Sequence, residues 1–154
     1  MTEARWLTSD EDRAWRGYRR MRSLLDLQLA RDLMSDSGLS EADYDVLSTL
    51  SETDGHRLRL RELAAHLLWS TSRVSHHTAR MQQRGLVVRE ETPGDARGSM
   101  VVLTGEGLHT IREAAPAHVA SVRRHLIDLL TKKELAALDT LSHRVIERLG
   151  GAAR

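Results

Sequence analysis

The stretch Trp69–Val87, "WSTSRVSHHTARMQQRGLV", contains a short amphipathic helix between two turn signals. Ser70 or Thr71 can cap its first turn, and Gly85 stands where a left-handed residue commonly ends a helix. The helix is therefore expected to end at about Arg84. Its two adjacent histidines and its arginines leave four interpretations open: a metal site, a catalytic acid–base pair, a surface that reads another molecule, or an ordinary solvated helix.

The segments on either side of this helix indicate how it is used. A shorter helix is predicted at about 60–67, and two β-branched segments, "LVVREE" and "SMVVLT", follow the quoted stretch with the polar "TPGDARG" between them. Helix, turn, helix and β-hairpin form a winged helix-turn-helix. The second helix of such a unit fits the major groove of B-DNA, and the hairpin reaches the flanking backbone or minor groove.

The rest of the chain is expected to be helical, apart from a loop at "TDGHR". Hydroxyl–acid pairs that begin at Ser9, Ser40 and Thr131 have the spacing of a helix start, because the hydroxyl and the acid can satisfy the first free backbone amides. The expected helices run at about 10–34, 41–52, 105–130 and 132–149. The predicted fold class is therefore mainly α with a small two-stranded β wing.

Basic charge is concentrated around the quoted stretch. The 154-residue chain has a net charge of only +1, but residues 56–98 contain eight arginines against four acidic residues. A phosphate-binding surface needs such a patch, although a solvated helical surface gives the same pattern. The chain has no cysteine, which excludes disulfides, cysteine nucleophiles and cysteine-type zinc sites. With no signal-peptide pattern and no apolar run of about 18 residues, a cytoplasmic protein without a membrane partner is expected.

An ordered set of motifs resembles the MarR family of bacterial transcriptional regulators. The set comprises "LAAHLLWSTSRVSHHTARMQQRGLVVRE", a wing-tip "D-x-R" at Asp95 and Arg97, and "LT-x-x-G" ending at Gly107. The resemblance implies a homodimer whose two winged lobes bind double-stranded DNA at a pseudo-palindromic operator. It also implies release by a small, often aromatic or phenolic ligand that binds between the dimer region and the DNA lobe. Three residues depart from the family pattern: Leu68 replaces a glycine of the turn, His76 stands where relatives often carry arginine, and His77 stands where an apolar residue is common.

The resemblance divides the chain into an N-terminal dimerisation helix at 1–38, a winged helix-turn-helix lobe at 39–104 and C-terminal dimerisation helices at 105–154. It implies that Arg97 enters the minor groove while Asp95 holds its guanidinium. From the residues alone, Arg73 is long enough to reach a guanine edge. The predicted DNA-binding residues are Ser70, Ser72, Arg73, Ser75, His76, Arg80, Asp95 and Arg97.

The remaining candidates are aromatic and histidine side chains. A ligand pocket could use Trp15, Tyr18, Tyr44 or Trp69, although aromatic residues at helical spacing are also typical of a core. His76 and His77 point about 100° apart and cannot both ligate one metal ion, so His76 is expected to face DNA and His77 to be partly buried and hydrogen-bonded.

The sequence thus predicts a homodimeric transcriptional regulator, a repressor released by a small ligand, with no metal or other cofactor. No convergent nucleophile, base or metal motif is present, so an enzyme is not expected. Two alternatives remain: a winged-helix protein-interaction module without DNA binding, and a zinc-responsive DNA-binding regulator.

Overall fold

A computed structural model of the protein describes residues 4–92 and 98–150. Six α-helices and three strands lie in these ranges. In chain order they are α1 (Ser9–Ser37), α2 (Glu41–Ser51), β1 (Arg57–Arg59), α3 (Leu60–Leu67), α4 (Thr71–Gln83), β2 (Val87–Glu91), β3 (Ser99–Leu103), α5 (Gly105–His125) and α6 (Lys132–Arg148). Short 3-10 turns lie at Asp54–His56 and Ile127–Leu129. The prediction of a mainly α fold with a β wing is confirmed, and no helix in the described part of the chain is long and apolar enough to cross a membrane.

The chain divides into two compact units. One unit is Ala30–His118 and contains α2 to α4 and the sheet. The other combines the chain up to Leu29 with the chain from Val119 onward, and it contains α6 together with most of α1.

The core of the Ala30–His118 unit is aliphatic, as the scarcity of aromatic residues requires. Its fully buried side chains come from each of the packed elements, and they include Val46, Leu47, Leu50, Leu63, Val74, Met81, Val87 and Val101. Replacing one of these leucines by alanine would cost about 2–5 kcal/mol of stability. This core fixes α4 against α2, α3 and the hairpin.

The sheet has three strands rather than two. The strand order is β1-β3-β2, and both pairs are antiparallel. β3 is central because Val101 lies opposite Leu58 of β1 and Arg89 of β2. The expectation of a loop at "TDGHR" was wrong at its last residue, Arg57, which begins β1. A three-residue strand is too short to show a period of two in the sequence.

Capping interactions account for the helix starts. The capping boxes that begin at Ser40 and Thr131 are present as predicted. The one expected at Ser9 is shifted by one residue, because Glu11 and Thr8 exchange the two bonds: Thr8 N–H donates to Glu11 Oε2 at 2.8 Å, and Glu11 N–H donates to Thr8 Oγ1 at 3.3 Å. The first helix consequently begins one residue earlier than expected, and it also ends three residues later, at Ser37.

The turn between α3 and α4 places a leucine in a glycine-like conformation. Leu68 has φ of 55° and ψ of 35°, in the left-handed region, and its side chain is 90% exposed. Such a conformation costs an L-residue roughly 1–2 kcal/mol. The absence of glycine at this position therefore leaves the turn intact but strained.

A close backbone approach joins the hairpin to α5. A Cβ added to Gly107 would lie 2.1 Å from the backbone oxygen of Leu86. Thr104 fixes this junction, since its Oγ1 lies 2.6 Å from the Gly85 carbonyl oxygen and accepts from the Gly107 N–H at 2.9 Å. The "LT-x-x-G" motif is thus explained by packing.

Candidate nucleic-acid interface

Helix α4 is anchored by its buried face. Ser70 caps it, as predicted, by accepting from the Arg73 N–H at 3.1 Å. Val74, Thr78 and Met81 have no exposed surface, and the Thr78 hydroxyl donates to the Val74 carbonyl at 2.8 Å. Because successive helical residues turn by about 100°, the remaining positions divide between an outer face and one lateral edge.

The outer face of α4, which comprises Ser72, Ser75 and His76, lies opposite the buried face. It carries three of the predicted DNA-binding residues, and Ser72 and His76 are exposed. A cleft of about 300 Å³ lies beside it, closed on the other side by Arg89 and Ser99. Hydroxyls, an imidazole and a guanidinium are thereby gathered on one surface.

Arg89 connects this surface to the wing. Its Nη1 donates to Ser75 Oγ at 3.1 Å and its Nη2 donates to Ser99 Oγ at 3.0 Å, so one guanidinium joins α4 to β3. Arg89 was not among the residues predicted from the sequence. The available signal was the strand period, which places Arg89 on the same side of β2 as the buried Val87.

The lateral edge of α4 is basic. We call Arg73, His77, Arg80 and Arg84 the basic edge; their spacings of four, three and four residues align them along the helix. Arg73 lies over the Trp69 ring, with its guanidinium carbon 3.9 Å from the ring centroid. The two arginines of α4 that were predicted to bind DNA, Arg73 and Arg80, therefore share one edge rather than the outer face.

A buried carboxylate holds the other end of this edge. Asp43, in the first turn of α2, is 3% exposed. Its Oδ1 lies 3.0 Å from His77 Nε2, and its Oδ2 accepts from Arg84 Nη1 at 2.9 Å. On the other side of the imidazole, Arg80 Nη2 lies 3.0 Å from His77 Nδ1. His77 is thus buried and hydrogen-bonded, as expected from the sequence.

The electrostatics of this network keep Asp43 charged and His77 neutral. Burial alone would raise the pKa of Asp43, but the hydrogen bonds from Arg84 and the Ser40 backbone, with the positive charge of Arg84, outweigh it and hold the pKa below its ordinary value. Burial lowers the pKa of His77, and the Arg80 charge adds to this effect although Asp43 opposes it.

The four aromatic candidates for a ligand pocket make separate contacts. Trp15 stacks on Tyr18 with 5.9 Å between ring centroids, in the unit formed by the chain ends. Tyr44 packs on His118 at 4.3 Å, and Trp69 contacts His77 edge-on at 5.8 Å.

The remaining predictions concern the wing tip and a metal. Asp95 and Arg97 lie outside the described residues. Within residues 4–92 and 98–150, no three histidine, aspartate or glutamate side chains are grouped in a way that could hold a metal ion.

Comparison with known proteins identifies the family to which this fold belongs. A sequence profile described as MarR family matches residues 37–98. The crystal structure of AbsC, a MarR family transcriptional regulator from Streptomyces coelicolor, is 45% identical, with 97% of this chain and 100% of that chain covered and a TM-score of 0.90. The chain belongs to the MarR family.

Other MarR relatives agree. The MarR family regulator Sco3205 from Streptomyces coelicolor, crystallised in complex with DNA, is 39% identical over 97% of this chain and 93% of that chain, with a TM-score of 0.91. The transcriptional repressor MprA of Escherichia coli is 24% identical over 123 residues, which are 80% of this chain and 69% of MprA. The protein is therefore a DNA-binding transcriptional regulator with a winged helix, and the expectation that it is not an enzyme is confirmed.

Proposed function

We propose that this MarR family protein is a cytoplasmic homodimer that binds a pseudo-palindromic operator in double-stranded DNA and represses nearby genes until a small ligand releases it. The observation that carries the DNA-binding part is the division of α4 into an outer face of hydroxyls and imidazole and an edge of arginines. Repression is supported by the likeness to MprA, which is named as a repressor.

The two surfaces of α4 have different chemistry for DNA. Short hydroxyls and the His76 imidazole can approach base edges in the major groove. The guanidinium groups of the basic edge are better suited to phosphates, which flank a helix in the groove. We therefore assign Arg73 and Arg80 to the backbone, although the sequence alone favoured a guanine contact for Arg73. Ser70 and Arg89 add groups that can bind phosphate. Arg97, held by Asp95, remains the proposed minor-groove contact.

These assignments are tested by selecting bound sites from random duplex DNA. Arg73→Ala should weaken every site by a similar factor and reduce the dependence of affinity on salt by about one phosphate contact, without changing the selected sequence. The matched variant His76→Ala should instead relax the preference at one base pair of each half-site. A changed base preference in Arg73→Ala would show that Arg73 reads a base.

Apolar side chains on the unit formed by the chain ends support the homodimer. Both α1 and α6 carry half-exposed apolar residues, among them Trp15, Tyr18, Met21, Leu24, Leu135, Leu141, Val145 and Ile146. Exposed apolar stripes of this extent are typical of a protein interface. Sedimentation should give the mass of a dimer for the wild type, and Leu141→Glu with Val145→Glu should give a monomer. A monomeric wild type at micromolar concentration would contradict this proposal.

The contact between Tyr44 and His118 supports a ligand site. His118 Nδ1 is buried and has no hydrogen-bond partner in the described part of the chain. Burial lowers the pKa of His118 and raises the pKa of Tyr44, so both rings are neutral at pH 7. Such a pair suits an uncharged aromatic ligand that offers one polar group. The roles of Trp15, Tyr18 and Trp69 in a pocket remain predictions.

Release is tested by adding small phenols to the complex with the selected duplex and measuring the dissociated fraction. His118→Ala should abolish any release that the wild type shows, whereas His109→Ala, an exposed histidine on the same helix, should not. If no duplex binds with salt-dependent affinity, the protein-interaction alternative replaces the proposal. If a chelator changes operator affinity, the zinc-responsive alternative replaces the phenol-type ligand.

A further inference from the structure

The network around Asp43 joins two helices that are distant in sequence, and neither Asp43 nor His77 makes a DNA contact in the function proposed above. Asp43 and His77 are 34 residues apart, and Asp43 and Arg84 are 41 apart. The carboxylate also accepts from the Ser40 N–H at 3.1 Å. Both carboxylate oxygens are therefore occupied, and the carboxylate has one orientation relative to α4.

The hydrogen bonds of His77 define its tautomer. A guanidinium can only donate, so Arg80 Nη2 must donate and His77 Nδ1 must accept. The proton of the neutral imidazole is then on Nε2, which donates to Asp43. A protonated His77 would have no lone pair for Arg80 and would place a second positive charge beside it. Asp43 from α2 and Arg80 and Arg84 from α4 are the charged groups that act on this ring.

The orientation of each arginine on the basic edge depends on this pair. Arg84 is held by Asp43 directly, and Arg80 by His77. Arg73 depends on it indirectly, since it stacks on Trp69, whose ring contacts His77. Arginine side chains lose rotamer entropy when they are fixed. Fixing them before DNA arrives removes that cost from the specific complex, in which the phosphates lie at defined positions, and removes less from a random duplex that is bound in many registers.

We infer that Asp43 and His77 are positioning residues for sequence-specific DNA binding. They hold the arginines of the basic edge in place relative to α2, and they do so while His77 is neutral. The inference rests on the proposed DNA-binding role of α4. It assigns to His77 a task that an apolar side chain could not perform, because it requires one hydrogen-bond donor and one acceptor.

The test compares His77→Gln with His77→Leu in the full-length protein. Glutamine can donate to Asp43 and accept from Arg80 but does not titrate, whereas leucine can do neither. The measured quantity is the ratio of affinity for a duplex selected by the wild type to affinity for a random-sequence duplex of equal length. This ratio cancels the general attraction between added positive charge and phosphate. It is measured at pH 7.5 and pH 5.5 at constant ionic strength, with His109→Gln as the control for loss of one exposed histidine.

The expected results differ for each variant. In the wild type and in His109→Gln the ratio should fall about three- to tenfold between the two pH values, which corresponds to roughly 0.7–1.4 kcal/mol. His77→Gln should restore the ratio that His77→Leu loses at pH 7.5, and its ratio should fall less between the two pH values than the ratio of the wild type does. Asp43→Asn, which retains a capping side chain but removes the charge, should lower the ratio about tenfold at both pH values.

Several outcomes would overturn the inference. A pH profile of His77→Gln that matches the wild type would show that His77 protonation does not act on specificity. An unchanged ratio in His77→Leu at pH 7.5 would show that the pair positions nothing. If circular dichroism shows that His77→Leu or Asp43→Asn does not fold, the inference is tested by the pH profiles of His77→Gln and His109→Gln. A wild type that binds both duplexes equally would instead contradict the proposed function, and the inference with it.

Discussion

The outer face and the basic edge of α4 belong to one helix but are built differently. On the outer face, Ser72 and His76 are exposed to solvent. On the basic edge, each arginine is held by another side chain of the protein: Arg73 by Trp69, Arg80 by His77 and Arg84 by Asp43. The difference suggests that one surface is kept adaptable for bases while the other is fixed in advance for a backbone whose geometry varies little.

The largest expected effect on stability comes from removing the carboxylate that holds the basic edge. Asp43→Ala should lower the free energy of unfolding by about 2–3 kcal/mol, because it removes one of the two capping-box bonds and leaves His77 and Arg84 without their acceptor. Ser72→Ala on the outer face should change it by less than about 0.5 kcal/mol. Urea denaturation of both variants measures the contrast. Equal effects would mean that the two surfaces do not differ in their structural role.

The link between α4 and the wing should matter more to binding than to folding. Arg89→Ala removes the bridge between Ser75 and Ser99 and a cation beside the outer face. Affinity for the selected duplex should fall about tenfold, or roughly 1.4 kcal/mol, in a fluorescence anisotropy titration. Arg89→Lys is the control, since it keeps the charge but cannot form both bonds; wild-type affinity in Arg89→Lys would reduce the role of Arg89 to charge alone.

Stability should also depend on pH through the fixed edge. Burial holds the folded pKa of His77 below its ordinary value near 6.5, so the unfolded chain binds more protons between these two values. The contribution of neutral His77 to the free energy of unfolding is therefore fully present above about pH 6.5 and is lost as the pH falls toward the folded pKa of His77. His118 acts in the same direction, because its pKa is also lowered by burial. His77→Gln should flatten the curve of unfolding free energy against pH without abolishing its slope, and an unaltered curve would exclude a contribution from His77.

The smallest effect is expected in the turn that precedes both surfaces. Leu68→Gly should raise the free energy of unfolding by about 0.5–1 kcal/mol, because the relief of left-handed strain exceeds the entropy that glycine adds to the unfolded chain. Neither surface of α4 includes Leu68, so the affinity for DNA should remain within about twofold of wild type. Leu68→Ala is the control, since it keeps a Cβ and should not be stabilising. A destabilised Leu68→Gly would show that the strain is absent.

The parts that could be predicted from the sequence are those with local signals. The bounds of α3 and α4 follow from apolar periodicity and caps, and the structure agrees with both to within about one residue. The β1 strand could not be predicted, because its three residues pair only with a strand some 40 positions later. The contact of His77 with Asp43 was equally hidden, since no sequence pattern relates residues on two separate helices.

The candidate site shows the same limit. Ser72, Ser75 and His76, which were predicted to bind DNA, share one face of α4 in the structure, whereas Arg73, predicted with them, lies on the basic edge. Arg89 was not predicted because its bonds to Ser75 and Ser99 depend on how β2 and β3 pack beside α4. The division of α4 between outer face and basic edge likewise depends on Asp43 of α2. Side chains whose purpose is to hold other side chains become visible only in three dimensions.

The close approach at Gly107 has a consequence for how the chain can change. Gly85, with φ of 75° and no atom within 4 Å of an added Cβ, is a glycine for reasons of backbone angle, so asparagine can replace it at modest cost. Gly107 is a glycine for reasons of volume, since any side chain would overlap the Leu86 carbonyl. A saturation-mutagenesis map should therefore show one glycine that accepts asparagine and one, 22 codons later, that accepts no other residue.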